Sequence, residues 1–206
     1  MFTIRDNLVG VILAGGNGSR LDGKGKYNQV FNNKTFLENV YMRINKQLET
    51  IAVNINNKNR NIKLKTDIII DKFSNNIGPL AGIHAALCYA EKKLNNNKGY
   101  VCTVPVDTPF LPQDLAIRLF KNINKFGADV VFAKSGNRIH PTIAIWQVGI
   151  KSKLENSINE GVRKIDLFTS NLKVSLEEWQ IIDIDPFYNI NNYDDLKQAN
   201  KMAIIK

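Results

Sequence analysis

Cysteine is almost absent from this chain. Cys88 and Cys102 are the only two; they form no CxxC pair and stand beside no cluster of histidines, so neither a disulfide framework nor a structural zinc site has its material. Histidine is equally scarce, with His84 and His140 alone, and no Ser-His-Asp or Cys-His arrangement for covalent catalysis can be assembled. No apolar run approaches the ~20 residues that cross a bilayer, and Met1 to Asn7 lack the apolar stretch of a secretory leader. A cytoplasmic protein without a membrane segment is the expectation. Internal repeats, low-complexity tracts and Pro/Gly/Ser linkers are missing too. A chain of 206 residues, about 1.4 typical domain lengths, is then expected to form one domain over 1–206.

What is present is ordinary globular material, 44% hydrophobic and 23% charged, which argues against disorder and fibrous repeats. The formal net charge is +9, from 28 Lys and Arg against 19 Asp and Glu. These cations are scattered, with no basic run longer than a pair such as Lys92-Lys93 and no interleaved aromatics. Nucleic acid is therefore not an expected partner. A compositional bias, or a field that attracts small anions, accounts for the charge.

Leu8 to Leu13 is a continuous apolar run of strand length, followed at once by glycines; such runs suit strands buried on both faces of a parallel sheet. Helical spacing predicts helices over 35–48, 79–94 and 112–123, the last with Pro112 in its first turn. Strands are predicted over 50–53, 68–70 and 100–106, then 129–133 and 142–146, with further helices over 149–159, 163–170 and 193–202. The alternation predicts an α/β sandwich with right-handed crossovers.

The segment Leu13-Ala14-Gly15-Gly16-Asn17-Gly18-Ser19-Arg20, with Lys26 beyond it, follows the first strand directly. In open α/β sheets ligands bind beyond the carboxyl ends of the strands, and glycines there let backbone N–H groups approach phosphate oxygens. Arg20 and Lys26 add positive charge, so the segment reads as a polyphosphate cradle; a tight structural turn with two solvated cations is the plainer alternative. A dinucleotide fingerprint fails at Leu21, and a P-loop match over 18–24 has Gly25 where Ser or Thr should hold the metal.

Asp107 stands just past the fourth strand, where a lone carboxylate can hold Mg²⁺ together with substrate phosphates, or simply cap a turn. Asp71 and Asn54 end two other strands, and side chains of these types can read a base or ribose by hydrogen bonds. Gly78-Pro79-Leu80-Ala81-Gly82 opens the second long helix, where unpaired N–H groups favour anions. His140 reads as a structural or substrate-contact residue, His84 as structural, and Cys88, Trp146 and Trp179 as core.

Taken in order, Leu13-Ala14-Gly15-Gly16, Arg20, Lys26, Gly78 to Gly82, Val106-Asp107-Thr108-Pro109, His140-Pro141-Thr142 and Asn189-Ile190-Asn191 resemble the molybdenum cofactor guanylyltransferases over nearly the whole chain. The resemblance implies a three-layer, Rossmann-like nucleotidyltransferase fold around a mostly parallel sheet. It also implies transfer of GMP from GTP to molybdopterin with release of pyrophosphate. By the same resemblance Leu13, Ala14, Gly15, Gly16, Lys26, Asn54, Asp71 and Asp107 would bind GTP. Asp107 would also ligate Mg²⁺, and Arg20, Lys26 and Asp107 would carry the catalysis. Gly78, Gly82, Arg163 or Lys164, Asn189 and Asn191 would lie toward molybdopterin. Molybdoenzymes or their chaperones stand as protein partners that would take the product. Where the family has Gly-Gly-x-Asp-Lys, this chain has Asp22-Gly23-Lys24-Gly25-Lys26, so a carboxylate is replaced by Gly25; Tyr27 and Asn33 also replace expected glycines. A cytidylyl- or sugar-phosphate nucleotidyltransferase, and a GTP-binding module weakened by Gly25, are the rival readings.

Overall fold

The computed structural model of the chain describes residues 4–15, 25–56, 62–73 and 77–204. Its elements run α1 (Ile4–Asn7), β1 (Leu8–Leu13), a 3-10 turn at Lys26–Asn28, β2 (Val30–Phe31), β3 (Lys34–Thr35), α2 (Phe36–Ile44), β4 (Ile51–Ile55) and β5 (Asp67–Ile70), with a second 3-10 turn at Val148–Ile150. Next come α3 (Pro79–Leu94), β6 (Tyr100–Pro105), α4 (Leu115–Phe126), β7 (Val130–Ser135) and β8 (Arg138–Gln147). The chain closes with α5 (Lys151–Asn159), α6 (Ile165–Thr169), β9 (Val174–Trp179) and α7 (Tyr193–Ile204).

Seven strands form one sheet in the order β5-β4-β1-β6-β8-β7-β9. β8 is antiparallel to both neighbours, and all other pairings are parallel. The sheet is therefore mostly parallel, as the sequence pattern implies. Strand alternation sorts its side chains into two cores. Leu8 and Ile12 of β1 pack with Phe36, Val40 and Ile44 of α2, Leu119 of α4 and Ala199 of α7. Val9 and Val11 pack with Leu80, Ile83 and Leu87 of α3, Leu154 of α5 and Phe168 of α6. Helices thus cover both faces, giving three layers. Among the described residues no helix is long and apolar enough to cross a membrane.

Several details depart from the sequence expectations, among them α2, which ends at Ile44 rather than Leu48. The third long helix begins at Leu115 rather than Pro112. Pro112 instead supplies a carbonyl to the Leu115 N–H at 3.4 Å, and Trp179 Nε1 donates to Asp114 Oδ1 at 2.9 Å, drawing the N-cap side chain away from the helix. β8 starts before Pro141 because its register with β7 breaks between Phe132 and Ala133, and a proline needs no ladder N–H inside such a bulge. β9 carries no apolar run: Val174 and Leu176 point to its exposed side, and only Trp179 is buried. It forms as an edge strand because β7 offers a parallel ladder over its whole length.

The β2–β3 ribbon turns at Asn32 and Asn33, with φ of 50° and 60°. Two successive positive φ values define the tight hairpin turn that asparagine tolerates almost as well as glycine. The chain's Asn33 therefore does a glycine's work. Asn39 Nδ2 donates to the carbonyls of Phe31, Lys34 and Thr35 at 2.9, 3.2 and 3.0 Å, fastening the ribbon to α2. A capping box between Thr35 and Glu38 starts that helix. Asn33→Val should lower unfolding stability by about 1–2 kcal/mol, since a β-branched side chain resists this φ. Asn33→Gly should leave the urea midpoint nearly unchanged; equal midpoints for both variants would contradict the turn assignment.

Candidate active site

The carboxyl ends of the central strands are level with one another. Leu13 pairs with Asn54 on one side and Pro105 on the other. The ladder continues one step further, from Ala14 N–H to the Asn54 carbonyl at 2.8 Å and from Val106 N–H to the Leu13 carbonyl at 3.1 Å. Gly15, Asn54, Asp71 and Asp107 are consequently brought to one edge of the sheet. Gly16 and Arg20 lie outside the described residues.

On one side of this edge, Asn54 is buried and its Nδ2 donates to Asp71 Oδ1 at 2.8 Å. Its Oδ1 lies against α3, where a Cβ on Gly82 would sit only 2.6 Å away. Gly82, which the resemblance implies for the molybdopterin side, therefore makes room for the side chain that holds Asp71. Burial pushes the Asp71 carboxyl above its ordinary pKa, and the Asn54 hydrogen bond offsets part of that rise.

On the other side, Lys26 Nζ forms an ion pair with Asp107 Oδ2 and donates to Asn191 Oδ1 at 2.7 Å. The Ile190 N–H donates to the Asp107 carbonyl at 3.0 Å, so the Asn-x-Asn segment runs directly beside Asp107. Ile190 points into the core. Asn189 and Asn191 flank it in sequence. Asp107 Oδ1 and Asn189 Oδ1 are buried without a hydrogen-bond partner among the described residues. A carboxylate oxygen and an amide oxygen are both hard donors of the type a divalent cation accepts. Among the described residues no group of three or more His, Cys, Asp or Glu gathers into a denser metal centre.

The segment carrying Asn189 and Asn191 is held by aromatic packing that sequence reasoning missed. Phe187 is 1% exposed and lies between His140 and Trp179, at ring-centroid distances of 4.9 and 5.2 Å. His140 Nε2 is 2.8 Å from Ser135 Oγ. Burial keeps its pKa below the ordinary histidine value despite the nearby Asp185 carboxylate, which suits a neutral packing residue. Asp195 Oδ2 accepts from the N–H groups of Asn191 and Asn192 at 2.8 and 3.2 Å, tying the segment to the start of α7. An aromatic two residues before Asn189 and an aspartate four after Asn191 were the only sequence signals for this support.

Gly78 and Arg163 come together at the start of α3. Gly78 has φ of 67°, and a Cβ there would lie 3.7 Å from the Arg163 carbonyl. Arg163 Nη1 donates to the carbonyls of Ile158 and Val162 at 2.8 and 2.9 Å, closing the end of α5, while Lys164 caps α6 and is exposed. His84 is fully buried beside Glu155, at 3.5 Å, and meets Phe73 edge to face. Trp146 and Trp179 are core residues, as the sequence suggests, whereas Cys88 is only half-buried.

Residues 10–172 match the MobA-like NTP transferase domain family. A molybdenum cofactor guanylyltransferase of Nitrobacter hamburgensis is 33% identical over 200 residues, covering 95% of this chain and 94% of that protein. One of Rhizobium meliloti is 34% identical over 196 residues, covering 92% and 88% respectively. Among solved structures, molybdopterin-guanine dinucleotide biosynthesis protein A from Archaeoglobus fulgidus aligns with a TM-score of 0.77 at 25% identity, over 97% of this chain and 100% of that one.

The raised pKa of Asp71 has a consequence for stability. A carboxyl whose folded pKa exceeds its unfolded one favours folding below the unfolded value, and that contribution is lost as pH rises through the folded value. Ionised Asp71 is thus a cost near neutrality. Asp71→Asn keeps an acceptor for Asn54 and should raise Tm at pH 7 but not at pH 3.5. A Tm gain that is the same at both pH values would contradict the burial effect.

Proposed function

The chain belongs to the MobA-like NTP transferase family, and we propose that it transfers GMP from GTP to molybdopterin as a single nucleotidyltransferase domain. Relatives named molybdenum cofactor guanylyltransferase, matched over nearly their full length, support the reaction. The observation that carries the site is the convergence of Lys26, Asp107 and Asn191 at the carboxyl edge of the sheet.

In this reading the triphosphate lies against Leu13, Ala14 and Gly15 at the end of β1. Gly16 and Arg20 continue the cradle on sequence grounds alone. Asp71, ionised and positioned by Asn54, accepts hydrogen bonds from the ring N–H and exocyclic amine of guanine; uracil lacks such a pair of donors. Lys26 moves its charge between Asp107 and the phosphate oxygens. A phosphate oxygen of the acceptor attacks the α-phosphorus, a new P–O–P bond forms, and the bond to the β-phosphate breaks. Pyrophosphate leaves with the electron pair, its charge met by Lys26 and Arg20. The acceptor brings its own ionised nucleophile, so no protein nucleophile is required. Asn191, Gly78 and Arg163 stand on the acceptor side.

Asp107 Oδ1 and Asn189 Oδ1 fit Mg²⁺ as a pair of hard oxygen donors. Mg²⁺ bound there supplies charge neutralisation at the phosphates. Drawing on GTP, the enzyme works in the cytoplasm and passes its product to molybdoenzymes or their chaperones.

Four outcomes test this reading. With GTP, Mg²⁺ and molybdopterin all present, pyrophosphate should be released, and omitting any one should abolish it. Asp107→Asn should lower kcat by on the order of a hundredfold or more with the fold intact; wild-type turnover would overturn the metal assignment. Gly82→Ala should displace Asn54 and raise KM for GTP roughly tenfold, the scale of one or two lost hydrogen bonds. CTP or UTP stabilising the protein more than GTP in a thermal-shift panel would instead favour the cytidylyl or sugar-phosphate class.

A further inference from the structure

We propose that Tyr27 is a positioning residue that aims Lys26, and that Gly25 lacks a side chain because the Tyr27 ring occupies its place. Lys26 sits between these two residues at the start of the first 3-10 turn. That turn carries backbone hydrogen bonds from Asn28 N–H to the Gly25 carbonyl at 3.2 Å and from Gln29 N–H to the Lys26 carbonyl at 3.3 Å. So short a turn cannot fix its own rotation. Successive side chains in 3-10 geometry point about 120° apart, so anchoring one of them sets the direction of the next. Tyr27 is the anchor: it is 5% exposed and packed into the core that holds Phe31, Phe36 and Phe110. With Tyr27 directed inward, Lys26 is turned along the surface to Asp107 and Asn191, and its side chain is only 15% exposed there. A lysine left free would spread over its rotamers.

Gly25 completes the device. Its φ of 88° belongs to the region that favours glycine, and a Cβ would lie 2.6 Å from Tyr27 Cε1 and 3.1 Å from Cδ1. Any side chain at 25 must push the ring aside and so rotate the turn. The absence of a carboxylate beside Lys26 and the presence of Tyr27 are thus one structural change, and Gly25→Asp in this chain should impair the site rather than improve it.

The activity readout rests on the role given to Lys26 above; the structural readout does not. Tyr27→Leu keeps an apolar anchor but loses the ring, and should lower kcat/KM for GTP on the order of tenfold to a hundredfold, as expected for a misplaced catalytic group. Tyr27→Phe should retain most activity, and Gly25→Ala should reproduce the loss. In a Lys26→Ala background Tyr27→Leu should have no further effect, because it acts through the lysine. The same factor in both backgrounds, or no effect in either, would overturn the proposal. Should Lys26→Ala itself turn over at the wild-type rate, the role of the lysine falls, and a crystal structure of Tyr27→Leu decides the positioning. A Lys26 ammonium withdrawn from Asp107 upholds it, and an intact Lys26–Asp107 pair overturns it.

Discussion

The ion pair between Lys26 and Asp107 ties together parts of the chain that are far apart in sequence. Through Asn191 it extends to the segment leading into α7. Both side chains are largely withdrawn from solvent, at 15% and 11% exposure, so neither charge could stand there alone without a large desolvation cost. Each is thus a condition for the other. Everything that sets this pair (the turn before β2, the end of β6, the aromatic cluster under Asn189) must be in register before the site exists.

A second constraint works across the edge through packing rather than charge. Asn54 is held between the Asp71 carboxylate and the bare backbone of Gly82. The arrangement keeps a carboxylate ionisable inside a half-buried crevice, against the tendency of burial to keep it protonated. One amide on the end of β4 thereby couples the start of α3 to the end of β5. The positions of α3 and of the Asp71 carboxylate are linked by a single side chain.

The corner around Asp107 shows the same economy. Asp107 has one oxygen engaged by Lys26 and the other unpartnered among the described residues, and Asn189 offers a second unpartnered oxygen. An unsatisfied buried oxygen is costly in isolation, and a divalent cation together with substrate phosphates is what would satisfy both. Phe187, wedged between His140 and Trp179, bears the load of presenting Asn189. His140 takes part as a neutral ring in contact with Ser135, which is packing work rather than proton transfer.

Local pattern alone was enough for the alternation of strands and helices, the mostly parallel sheet and the gathering of Gly15, Asn54, Asp71 and Asp107 at one edge. These follow from apolar periodicity and from the rule that parallel strands end together. Edge strand β9 escaped because its apolar residues face outward, and α4 moved because Trp179, sixty-five residues beyond Asp114, takes that side chain from the helix cap. The partners of Lys26, the seat of Asn54 on Gly82 and the Tyr27 ring over Gly25 were equally beyond reach. Each depends on where a distant segment delivers a side chain to within a few ångströms. Residue type and spacing along a chain determine what an element is; only the folded packing of both cores decides which atoms meet.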